Sequence, residues 1–249
     1  GLDIRQPIGG DFGVSPWLLE SYLEKPVWET DVARYGIDIW MTTTAVNEGA
    51  KVCQAHLGVK VHDVKDPAVT LGPMFRQVVG TLFSLMDVYE KHWKEVVETR
   101  STPFYGEPMA QEPEPVEVTL SAMIEKLRKG LGELEGLWGK ILASENLAEV
   151  RKIAALAEAN YAFSAELWAR IVYDFAVAYN KKGTCKALGA SPNEVITAMT
   201  PLYYGRTAGL VVESRDMDTA TFEEQVVQRQ ARVFEELKSY LLKRWEGEI

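Results

Sequence analysis

Several things are scarce in this chain of 249 residues. Its two cysteines, Cys53 and Cys185, lie far apart and at no metal-type spacing, which excludes a disulfide framework and a zinc ribbon and fits a reduced compartment. Histidine is limited to His56, His62 and His92. No apolar run reaches the length of a membrane span, and no signal-like segment opens the chain, so the expected location is cytoplasmic. A net charge of -9 argues against nucleic acid as partner, because such binding rests on Lys and Arg neutralising phosphates. The sequence also lacks a phosphate loop, a Gly-x-Gly-x-x-Gly fingerprint and a Gly-x-Ser-x-Gly elbow. Nucleotide hydrolysis, dinucleotide chemistry and serine hydrolysis therefore have no sequence support.

What is present is ordinary globular material, 47% hydrophobic and 25% charged. Residues 1–70 mix glycine turns with short apolar runs. Gly9-Gly10-Asp11 reads as a turn, and Ser15-Pro16 reads as an N-cap with proline at the first helical position. Ile37, Trp40, Met41, Thr44 and Ala45 recur at helical steps, which predicts a helix over 36–47 closed by Gly49. Val52, Gln54 and 58–61 read as extended, giving an α/β fragment. Residues 71–100 predict one amphipathic connecting helix through Met74, Phe75, Val78, Leu82, Phe83, Met86 and Trp93. A proline-rich linker is expected over 101–118 and a helical domain over 119–249. There, Ser191 with Glu194 and Thr221 with Glu224 read as capping boxes. The expected fold class is mainly α with a small α/β portion.

Two residues could carry chemistry. Asp38, between apolar neighbours near a helix start, could orient or deprotonate a hydroxyl, and a purely structural acid at a helix N-terminus fits the sequence equally well. His62 ends a strand-like run and could bind a divalent metal as neutral imidazole, although locally it also reads as a hydrogen-bonded loop histidine. Asp216-Met217-Asp218 has the Asp-x-Asp form of a sugar-transferase metal motif, but its place before the Thr221 cap reads as a surface turn.

The stretches RQPIGGDFG (5–13) and YGIDIWMTTT (35–44) resemble the second half of family-2-type GT-A glycosyltransferases, of the kind that make glucosyl-3-phosphoglycerate and mannosylglycerate. That resemblance covers about the first third of the chain. Segments Gly72 to Gln77, Leu167 to Tyr179 and Tyr204 to Asp218 are similar to a subgroup with an added helical domain. It implies sugar transfer from a nucleotide-sugar donor to a sugar or glycerate-like acceptor, with Mg or Mn as cofactor. Asp38 would be catalytic and His62 the metal ligand, while Gly9, Gly10, Asp11, Thr42 and Lys65 would bind the acceptor. In that family the nucleotide sits on an N-terminal half ending in Asp-x-Asp, which this sequence does not contain. The chain is therefore expected to be a C-terminal part that folds but needs its N-terminal GT-A half for turnover, and it could form a homo-oligomer. A non-catalytic helical interaction module retaining a degenerate transferase segment is the alternative.

Overall fold

A computed structural model describes residues 1–58, 67–107, 118–181 and 183–248, with the backbone alone described at 67–70. The chain is mainly helical, and the strands among the described residues are two residues long. It divides into two compact units, residues 1–62 with 73–111 and residues 63–72 with 112–249. The segment read as a connecting helix thus groups from Pro73 onward with the N-terminal residues.

In the first unit, α1 (Pro16–Leu23) starts where Ser15-Pro16 predicts it. Helix α2 (Ile37–Asn47) follows a 3-10 turn at Asp31–Ala33. Gly36 enters α2 because nothing larger fits there: a Cβ would lie 2.8 Å from the Asp31 carbonyl oxygen and nearer still to the Thr81 hydroxyl. Gly49, at φ +75°, ends it. Its amide donates to Val46 and that of Ala50 to Ala45, the paired bonds of a Schellman closure. Leu18, Tyr22, Val32, Trp40, Ala45 and Leu85 form the core. Trp40 lies between Tyr22 and Trp28, at ring-centroid distances of 5.0 and 5.5 Å.

The expected single helix over 71–100 is instead two, α3 (Pro67–Val88) and α4 (Glu90–Glu95). Tyr89 breaks the run at φ -109°, ψ 27°, and the Trp93 indole donates to the Met86 carbonyl at 2.8 Å, capping a carbonyl that α3 leaves at its end. Part of the expected linker is paired. β1 (Leu2–Asp3) runs parallel to β3 (Arg100–Ser101), and β2 (Gln54–Ala55) runs parallel to β4 (Phe104–Tyr105). Gln54 donates to the Asp3 carbonyl at 3.0 Å and accepts from the Arg5 amide at 2.7 Å, tying the two pairs together. Residues 108–117 lie outside the described part.

The second unit is built on α5 (Leu120–Ile141), α6 (Ser144–Ala154), α7 (Ala165–Asn180), α8 (Thr184–Leu188) and α9 (Pro192–Ser214). The predicted apolar face of α5 is buried at Leu120, Met123, Ile124, Leu127 and Trp138. Ser191 and Glu194 form the predicted capping box of α9. The second predicted box is absent: Asp218, not Thr221, caps α10 (Thr219–Phe222), accepting from the Thr221 amide at 2.7 Å. A π-turn at Glu223–Val227 leads into α11 (Gln228–Glu236) and α12 (Lys238–Glu246).

Helices α5 and α9 approach closely where side chains are small. A Cβ on Gly130 would fall 2.7 Å from Pro201 Cγ, and one on Gly205 would fall 2.8 Å from Leu127 Cδ2. Gly130→Ala is expected to destabilise the second unit by about 1–3 kcal/mol, since overpacking outweighs the gain in helix propensity of about 1 kcal/mol. Thermal melting followed by circular dichroism measures it, and a raised melting temperature would contradict this account of the seam.

Candidate functional site

Of the residues singled out by sequence, Asp38 and Thr42 share one face of α2. Asp38 occupies the first helical turn and is half-buried, where the partial positive charge of the helix N-terminus favours a carboxylate. Thr42 follows one turn later on the same face, since residues four apart are neighbours on a helix. Its hydroxyl donates to the Pro7 carbonyl at 2.8 Å. That bond fixes the N-terminal stretch against the helix two residues before Gly9. The Gly9 amide donates to Gln6 at 3.2 Å, and Gly10 takes φ +81°, a conformation open to glycine without strain. Gly10 and Asp11 are exposed. The structure therefore brings Thr42 to the segment that carries the glycine turn, on the helical face that also carries Asp38.

Further contacts hold α2 in place. Tyr22 donates its hydroxyl to the Met41 carbonyl at 2.7 Å, and burial pushes its pKa up to about 12. Lys25 bonds Glu48 at 2.8 Å near the helix end, and this partner raises the lysine pKa. Among the described residues, Thr44 Oγ1 and Asn47 Oδ1 are the two buried side-chain polar atoms without a hydrogen-bond partner. Just before α2, a depression of about 460 Å³ is lined by Trp28, Glu29, Thr30, Asp31, Ala33 and Arg34. Thr30 shapes this corner, donating to the Val27 carbonyl at 2.6 Å and accepting from the Val32 amide at 3.2 Å.

His62 and Lys65 lie outside the described residues. Among the described residues no group of three His, Cys, Asp or Glu side chains is placed to hold a metal ion. His56 stacks on Phe104 at 5.1 Å, and His92 stands in the last turn of α4. The Asp-x-Asp stretch is a turn whose last carboxylate is the α10 cap, and the Thr221 amide lowers the Asp218 pKa. Among the described residues no helix is long and apolar enough to cross a membrane.

No protein family model, curated protein or solved structure matches this chain.

Sequence reading missed two buried polar centres in the second unit. Asp174 has no exposed side-chain surface, yet its carboxylate accepts four hydrogen bonds. The Ala143 amide (3.0 Å) and Asn146 Nδ2 (2.9 Å) reach one oxygen; the Tyr240 hydroxyl (2.7 Å) and Arg244 Nε (2.8 Å) reach the other. Burial, with the neighbouring carboxylate, raises the Tyr240 pKa. Arg206, also buried, donates to the Phe163 carbonyl at 2.6 Å, to Glu213 at 2.7 Å and to Gln230 at 2.9 and 3.0 Å. Each group is saturated by its neighbours, so both are structural clamps rather than reacting centres. A single acid inside the apolar run LWARIVYDFAVA was the available signal for the first.

Proposed function

We propose that this chain is the acceptor-side part of a divalent-metal-dependent glycosyltransferase that uses a nucleotide-sugar donor in the cytoplasm. One observation carries the reading: the Thr42–Pro7 hydrogen bond holds the Gly9-Gly10 segment to the face of α2 on which Asp38 stands. The likeness of 5–13 and 35–44 to GT-A glycosyltransferases supplies the reaction class. In this reading Asp38 orients an acceptor hydroxyl and draws off its proton as the bond to the sugar forms. The glycine turn, with no Cβ in the way, lets backbone amides approach acceptor oxygens, and Asp11 and Thr42 supply polar neighbours. Lys65 contacts the acceptor or phosphates. His62 would hold the metal, whose chemistry is to neutralise the leaving diphosphate. The donor nucleotide binds a separate GT-A half that works with this chain.

Manganese titration into the protein carrying both halves, and into its His62→Ala variant, tests the metal assignment. Loss of metal affinity together with transfer activity is expected. Unchanged affinity and activity in the variant would refute it. Detectable transfer by this chain alone would refute the division of labour.

A further inference from the structure

The loop between α1 and α2 has a fixed backbone and charged side chains that its own structure does not use. Val32 is buried in the core and anchors it. Its backbone bonds close within the loop. The Thr30 amide donates to Val27 at 3.0 Å, the Ala33 amide to Thr30 at 3.1 Å, and the Arg34 and Gly36 amides to Asp31, both at 3.0 Å. The Tyr35 amide donates to Gln77 Oε1 on α3 at 3.2 Å. Trp28 is braced by an edge contact with the buried Trp40, yet 40% of its surface is exposed. Trp28, Glu29, Asp31 and Arg34 all line the depression of about 460 Å³ before α2. That volume lies within the range of small-ligand sites, about 300–1,000 Å³. Asp31 and Arg34 stand three residues apart across a single 3-10 turn, where side chains at that spacing eclipse and opposite charges ordinarily meet. Here the side chains of Glu29, Asp31 and Arg34 make no ion pair or hydrogen bond among the described residues.

We infer that this depression binds a small zwitterion, of the class of a free amino acid or a betaine. The exposed indole attracts an organic ammonium group, and Glu29 and Asp31 supply its counter-charge. Arg34 offers the forked donors that a carboxylate takes. A purely cationic ligand would leave Arg34 opposing it, and a purely anionic one would meet two carboxylates. A neutral sugar could lie on the indole but would gain no Coulombic attraction from the three charges. A ligand that carries both charges a few bonds apart answers all four side chains. Binding needs little reordering, because the loop is already fixed by its own hydrogen bonds. The inference stands apart from the sugar-transfer reading, and neither Asp38 nor the glycine turn takes part in it.

Glycine betaine is the probe, followed through the indole N–H resonance of Trp28, which the Trp28→Phe variant identifies by its disappearance. Titration into this chain should move that resonance with millimolar affinity. Tetramethylammonium and acetate, each with one of the two charges, should bind about two- to fivefold more weakly. Arg34→Gln should bring betaine down to the level of tetramethylammonium, and Glu29→Gln should weaken both. These two side chains stand in solvent, so neither change should alter the melting temperature. A resonance that does not move with betaine overturns the inference. So does equal binding of betaine and tetramethylammonium, which would leave a site for cations alone. Movement with methyl glucoside but not with betaine would make the depression a sugar seat and overturn it as well. None of these results bears on Asp38, whose role is read from turnover.

Discussion

Replacing Asp174 by alanine is expected to cost the second unit about 3–5 kcal/mol, a large share of the stability of an ordinary domain. The substitution removes no more than a carboxylate, but it strands four donors that the fold has aimed at it. The Arg244 guanidinium would keep its bond to the Ile141 carbonyl at 2.9 Å and lose the Asp174 carboxylate. Asp174→Asn retains the volume and one good acceptor, so its cost should be intermediate. Urea unfolding followed by far-UV circular dichroism separates the two. A loss below about 1 kcal/mol for the alanine variant would show that water replaces the carboxylate, and the clamp account would fall.

For activity the largest effect is expected at Asp38. On the proposed reading, in a protein that carries both halves, Asp38→Asn should lower kcat by about 10²–10⁴-fold, the usual contribution of a positioned general base. That corresponds to about 3–5 kcal/mol on the barrier. The same change removes a carboxylate from the first turn of α2, which matters to stability by only about 0.3–1 kcal/mol. The two roles therefore separate by magnitude. A large fall in turnover with an almost unchanged melting temperature supports the acid in catalysis. Normal turnover with early melting would make Asp38 a structural helix-terminus acid.

What could be read in the sequence was local. Ser15-Pro16, Ser191 with Glu194, and Gly49 each place a helix boundary within a few residues of themselves, and the structure has those boundaries. The failures are contests between local signals or matters of distance. Thr221 and Asp218 are both good caps three residues apart, and the earlier one starts the helix. The Tyr89 break in the long amphipathic run depends on an indole bond back to Met86. Asp174 finds its partners 28 to 70 residues away, and no pattern within α7 announces them. For the candidate site, the helix bearing Asp38 and the glycine turn were legible separately. Their meeting through Thr42 and Pro7, 35 residues apart, was not.

The seam between α5 and α9 also bears on how the second unit assembles in time. The buried Trp138 indole donates to the Ala198 carbonyl across 60 residues of chain. Helices of this length form within about a microsecond, but a seam between partners so distant in sequence waits on the closure of a long loop, whose entropy is lost before any contact rewards it. Helices α6 and α7 lie within that loop and can gather before it shuts. Trp138 is therefore expected to complete its burial only when the loop closes, and in a variant that keeps Trp138 as its one tryptophan the fluorescence should change late, after the local helices have formed.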